Sequence, residues 1–267
     1  MMLLAFLGVA SAQDAPWEER IEGDAVEADA PDDFALQGVD VLPMGGRSGL
    51  SVGQASVLGG DGGTNAWSVH GRVNAGHASV RVGLPIAAYR TPDQRTAGLG
   101  NLTADVLYRD DEAHPEWQVG ASVHVPTGRT YTWVNDAEEL WSGVGIDALY
   151  QRRFGDGPTQ GAIRTAIGIH GPANYAPFPE VYAKVDIAGV VDQRISDAVG
   201  FVGEGSFSWW DTSPVDLTAM LRVDPVDQLR LRAGLTLPVA AWAGWQPAQV
   251  VSGVRETTLR LELHTAH

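Results

Sequence analysis

From residue 47 onward, apolar and polar residues alternate with a period of two, in segments of about ten residues separated by Gly, Pro, Asp and Asn. Twelve such segments stand out: 47–58, 64–74, 78–90, 99–110, 115–126, 141–154, 160–170, 180–194, 198–210, 215–223, 227–238 and 254–264. The eleventh is the plainest. Leu229, Leu231, Ala233, Leu235 and Leu237 fall on one face, and Arg230, Arg232, Gly234 and Thr236 on the other. Likewise Val119, Ala121, Val123 and Val125 oppose Gln118, Gly120, Ser122 and His124, while Leu259, Leu261 and Leu263 oppose Arg260 and Glu262. No stretch of comparable length carries a 3.6-residue period, so the pattern predicts an all-β chain whose strands each have an apolar face and a face charged at mid-strand.

Alternation does not say which face points outward. A soluble sandwich also alternates, but its polar face is plain solvent surface, richer in Lys, Glu and Thr than in Gly, Ser and Arg. Strands of about ten residues match a tilted bilayer-spanning strand, and in a transmembrane barrel the apolar face meets lipid while the polar face lines the lumen. Connection lengths agree. With the first segment running outward, the outer connections are 59–63, 91–98, 127–140, 171–179, 211–214 and 239–253, and the periplasmic ones 75–77, 111–114, 155–159, 195–197 and 224–226. Bacterial outer-membrane barrels have the same asymmetry, with short periplasmic turns. Aromatics sit at strand ends, with Tyr89, Trp141, Tyr182, Trp209 and Trp210 at the outer side and Tyr108, Trp117 and Phe154 at the periplasmic side, as interfacial girdles require. The expected fold is a transmembrane antiparallel up-and-down β-barrel of about twelve strands over residues 47–267, in the outer membrane with both termini periplasmic.

Composition narrows the chemistry. The chain has 267 residues and no cysteine, which removes disulfides, thiolate metal sites and thiol nucleophiles. A net charge of −15 argues against nucleic acid as a partner. That charge is unevenly placed: residues 13–46 hold ten acids against Arg20, or −9 of the −15. This segment is too acidic and too poor in large apolar residues to fold alone, and a periplasmic tail is the default expectation. The alternative is a plug entering the lumen, its carboxylates pairing with arginines and Phe34, Leu36, Val39, Val41 and Leu42 packing near the entrance. Residues 1–12, an apolar run ending in Ala10-Ser11-Ala12, are expected to be a signal peptide cleaved before Gln13.

The stretch Gly98-Leu99-Gly100-Asn101-Leu102-Thr103-Ala104-Asp105-Val106-Leu107-Tyr108-Arg109, with Gly83-Leu84-Pro85 before it and Val125-Pro126-Thr127-Gly128 after it, resembles a recurrent pattern of one barrel family. This is the MetA-pathway of phenol degradation family of outer-membrane proteins, whose members carry a GLGD-like turn, a strand ending in Tyr-Arg and a later Pro-Thr-Gly. The resemblance covers about residues 78–170. It implies an outer-membrane barrel passing small, often aromatic or hydrophobic compounds, and it transfers no catalytic residue. Asn101 stands where the family usually has Asp, and His267 ends the chain where outer-membrane barrels commonly end in an aromatic.

Other candidate chemistry is sparse. Gly143-Val144-Gly145-Ile146-Asp147-Ala148 matches a dinucleotide fingerprint by letters, but the alternation runs on to Tyr150 where that motif requires a helix. A lipid-modifying serine hydrolase in the barrel wall is the enzyme alternative. The spacing Gly-x-Ser-x-Gly is absent, and the same-face pairs His70/Ser68 and His124/Ser122 stand two residues apart on a strand, too far for an assured hydrogen bond. The histidines (His70, His77, His114, His124, His170, His264, His267) show no i,i+4 pair and no accompanying ligand cluster. No catalytic residue, metal or cofactor is therefore expected.

The most informative charged set is the row expected to face the lumen: Arg72, Arg81, Arg109, Arg153, Arg164, Arg222, Arg230 and Arg232, interspersed with Asp105, Asp147, Asp186 and Glu204. Cross-strand pairs among these would stiffen a narrow barrel, and unpaired members would filter charge. Tyr131, Trp133, Trp242 and Trp245 on the outer connections are candidates for a solute-capture patch or for anchors in the membrane interface. Twelve strands enclose far less space than a large porin, so long arginines nearly close the lumen. The function expected is a channel or transporter for a small, hydrophobic or aromatic molecule, with lipid and that solute as partners; a closed structural barrel is the alternative.

Overall fold

The computed structural model describes residues 34–58, 63–90, 95–109, 117–125, 127, 143–155, 157–172, 181–209, 212–243, 246–248 and 257–267. They contain the strands β1 (Gly49–Val57), β2 (Gly63–Ala75), β3 (Ala78–Arg90), β4 (Arg95–Leu99), β5 (Leu102–Arg109), β6 (Trp117–Val125), β7 (Gly143–Phe154), β8 (Thr159–Pro172), β9 (Tyr182–Ser196), β10 (Val199–Trp209), β11 (Thr212–Val226), β12 (Leu229–Ala243), β13 (Gln246–Ala248) and β14 (Thr258–Thr265). Each long strand pairs antiparallel with its neighbours in sequence, and the ring closes where β14 pairs with both β12 and β1. The result is a closed barrel of twelve strands. Short β4 and β13 lie off the ring, each lengthening a hairpin by pairing with β3 and β12.

The strands coincide with the twelve alternating segments, with one instructive difference. β11 and β12 run to Thr212–Val226 and Leu229–Ala243, past prolines that mark breaks in the sequence. Register shifts between Val215 and Asp216 and between Val223 and Val226 absorb Pro214, Pro225 and Pro238. At a bulge a strand tolerates a residue that lacks an N–H.

Burial is inside out. Ile146 and Ile167 are 57% and 58% exposed, whereas Arg232 and Asp147 are 2% and 4% exposed and Gln151 is wholly buried. Charged side chains thus fill the interior of a barrel whose wall is apolar outward, a surface suited to hydrocarbon rather than to water. Tyr108, Phe154 and Trp209 are exposed at strand ends, with the Tyr108 ring 6.0 Å from Trp117. Tight turns at 76–77, 197–198 and 227–228 lie at the barrel end where β1 begins and β14 ends, called here the terminal end. At the first of these, Gly76 takes the left-handed conformation (φ 55°) that lets a two-residue connection reverse the chain. The expected outer connections fall largely outside the described residues.

Residues 34–46 pack on the inside of this wall. Leu36 and Met44 exchange backbone hydrogen bonds of 3.0 and 2.9 Å, and the Gly38 N–H donates to the Val41 carbonyl, forming a small hairpin. Its Leu36, Val41 and Met44 meet the inward-facing Ala162, Ala188, Val190, Val202 and Met220; Leu42 meets Leu107, Leu149 and Ala166. This contact explains why the interior is not uniformly polar. Alanines and valines on β8, β9 and β10 form an apolar seat where the hairpin rests.

Candidate functional site

All twelve charged residues of the expected lumen row stand at inward-facing register positions. Asp105, Asp147, Glu204, Arg222, Arg230 and Arg232 are buried, and Arg72, Arg81, Arg109, Arg153, Arg164 and Asp186 are half-buried. They do not form one row but several local networks.

On β3 and β5, the directly paired Arg81 and Asp105 make a 2.6 Å ion pair, and Ser122 on β6 hydrogen-bonds the same carboxylate. Across β9, β11 and β12, Arg222 donates to Asp192 at 2.5 Å, and Arg230 grips Asp224 through two parallel hydrogen bonds of 2.8 and 2.9 Å. Such a fork is the geometry in which guanidinium binds carboxylate best. Farther round, Arg232 lies 3.7 Å from Glu262, which also accepts from His264 at 2.9 Å. Lys184, the only lysine of the chain, pairs with Asp186 at 3.1 Å, and Ser208 donates to the same carboxylate at 2.5 Å. Arg109 reaches the Gly76 carbonyl at the terminal rim, and Arg153 donates to Gln160. A double-mutant cycle on Arg81→Ala and Asp105→Ala, read by urea unfolding, should give a coupling of about 1–3 kcal/mol, because the two act as one desolvated unit.

A second group of contacts holds the hairpin. Glu204 on β10 accepts hydrogen bonds from the backbone N–H groups of Val39 and Asp40, the latter at 2.5 Å. Arg164 and Arg232 donate to the carbonyls of Asp40 and Gln37, each at 2.9 Å, and Arg72 donates to Gly45 at 3.0 Å. Gln151 accepts from the Leu42 N–H at 2.8 Å and donates back to its carbonyl. The Arg230 guanidinium lies 4.3 Å over the Phe34 ring. Arg72, Arg164 and Arg232 thus bind backbone carbonyls of this segment. The plug alternative has the arginines pairing with its carboxylates; of those acids only Asp40 lies among the described residues, and it is exposed.

The strands also bring together three residues that spacing alone did not connect. Asp147 on β7 accepts from His124 on β6 and from His170 on β8, both at 2.8 Å and one on each carboxylate oxygen. In the described contacts His124 is engaged with Asp147, and Ser122 with Asp105, so the two members of this one of the two His/Ser pairs each serve a carboxylate.

Asp192, Asp224 and Glu262 belong to these networks but not to the expected row. The same inward parity marks Asp192 and Glu262, while Asp224 was hidden by Pro225, read as the end of a strand. Of the candidate loop aromatics, Trp242 lies in β12 opposite Ser213 and Pro247; Tyr131, Trp133 and Trp245 lie outside the described residues.

Two solved structures share this architecture. The chain is similar to the COG4313 outer membrane channel from Pseudomonas putida F1, with a TM-score of 0.56 and 13% identity over 87% of this chain and 100% of that one. It is also similar to the NanC porin, with a TM-score of 0.54 and 9% identity over 82% and 100% of the two chains. The fold is that of an outer-membrane barrel. At these identities the likeness is one of fold, since only the inside-out alternation and strand rhythm need persist for a barrel to form. No protein-family model matches the chain, and no curated protein matches it significantly.

Proposed function

We propose that the chain is an outer-membrane channel for a small solute, with its termini in the periplasm and the residue 34–46 hairpin narrowing the periplasmic half of its lumen. The observation that carries this reading is the placement of paired charges on the inner wall of a barrel whose outer wall is apolar. A purely structural barrel would be filled more stably by apolar side chains than by ion pairs that must be desolvated. Water and solute, in contrast, need polar groups along their path. The test is ion conductance and solute flux in liposomes carrying the intact protein. Neither conductance nor flux, under any applied voltage, would favour a closed structural barrel.

For the solute we infer a hydrophobic or aromatic compound. This rests on the resemblance of residues 98–109 and 125–128 to the phenol-degradation barrel family. Four aromatics, Tyr131, Trp133, Trp242 and Trp245, belong to the outer connections as read from the sequence and would offer such a compound a first contact. Replacing all four by alanine is expected to slow flux of a phenolic solute several-fold while leaving ion conductance and folding intact. Equal slowing of a sugar of similar size would assign them to the barrel mouth in general, and unchanged flux would leave them as interfacial anchors.

A further inference from the structure

His124, Asp147 and His170 come from three consecutive strands and meet on the inner wall near the barrel end opposite the tight turns. Their potential ligand atoms all lie within 4.8 Å of one another. The local sequence makes that meeting possible. Gly145 stands in register between His124 and His170, and a Cβ there would overlap the His170 ring. Gly168 stands opposite Asp147, and a Cβ there would overlap its carboxylate. Two missing side chains thus open a cradle in which two imidazoles, their ring centres 5.1 Å apart, close over one carboxylate.

We propose that this cradle binds a divalent transition-metal ion of the Zn2+ class. Two imidazole nitrogens and one carboxylate oxygen suit zinc and its first-row neighbours, and do not suit Mg2+ or Ca2+, which prefer an all-oxygen shell. Tetrahedral ligation at about 2.0–2.1 Å requires donor atoms about 3.3 Å apart, within reach of these side chains by small rotations. The ion replaces the two hydrogen bonds to Asp147: each ring moves its proton to Nδ1, so that Nε2 offers its lone pair. Three protein ligands leave a coordination position open, and His124, 28% exposed, is the side of the cradle that faces the lumen. No described contact joins the hairpin to these three residues. Gln151, its contact on β7, lies four residues along the same strand, about 13 Å away. The site is therefore independent of whether the hairpin blocks conduction.

The test uses the full chain, refolded in detergent, stripped with chelator and titrated with Zn2+ by calorimetry and with Co2+ by visible absorption. One ion per chain at micromolar concentration is expected, with a Co2+ spectrum of four or five nitrogen and oxygen ligands. His124→Ala, His170→Ala and Asp147→Asn should each weaken Zn2+ binding about tenfold or more. Gly145→Ala keeps all three ligands and should weaken it as well, whereas His267→Ala should have no effect. Each variant is checked for the heat-modifiable gel mobility of a folded barrel. Absence of stoichiometric binding to the intact protein would overturn the proposal even if a variant failed to fold. Binding that survives both histidine replacements would do so too, and would assign the ion to the acidic residues 13–33.

Discussion

Deletion of residues 17–43 is expected to raise single-channel conductance several-fold in planar bilayers. The hairpin reaches around the inner wall, through Arg72 on β2, Gln151 on β7, Arg164 on β8, Glu204 on β10 and Arg232 on β12. A segment held from so many strands of a twelve-stranded ring lies across the path through it. Glu204→Ala should act in the same direction by a milder route. It leaves the Val39 and Asp40 N–H groups without their acceptor inside the barrel, where an unpaired donor costs about 1–3 kcal/mol. Openings should become more frequent with the open-channel current unchanged. Salt provides an internal check. Because the described contacts are hydrogen bonds to backbone, most of them partly or wholly buried, and not ion pairs, raising ionic strength should loosen the hairpin only weakly. Equal conductance of deleted and intact proteins would return residues 34–46 to a purely structural role.

The second large effect concerns the outer wall. Leu235 is 40% exposed near the middle of β12, on the face opposite the buried Arg232. Leu235→Arg should therefore cost about 2–4 kcal/mol in reversible urea unfolding from liposomes, the penalty for a guanidinium at the bilayer midplane. The same change at Leu231, closer to the terminal end of the strand, should cost less, because the penalty falls toward the interface. If both substitutions were neutral, or if their order were reversed, the apolar wall would not be facing hydrocarbon at these positions.

Both predictions start from features of unequal legibility. That Leu231 and Leu235 share a face, opposite Arg230 and Arg232, follows from period two along one strand. Glycine placement was equally visible but not interpretable, since Gly145 and Gly168 look like ordinary small strand positions until their cross-strand neighbours are known. Prolines misled at β11, because a bulge depends on the partner strand and not on the residues before and after the proline.

Read along the chain alone, the residues set out the twelve alternating segments, their antiparallel up-and-down order and which residues of each segment share a face. These depend on local quantities: the pleat gives every strand a period of two, and short turns join only adjacent antiparallel strands. The sequence did not determine which inward residues touch. His124, Asp147 and His170 are separated by 23 residues at each step, and they meet only because three hairpin registers align them. Nor did it determine where residues 34–46 lie. Their few apolar side chains are too few to fold alone and find burial only against the alanines and valines of β8, β9 and β10. That seat exists once the barrel has closed, so its effect on the segment is a property of the tertiary structure alone.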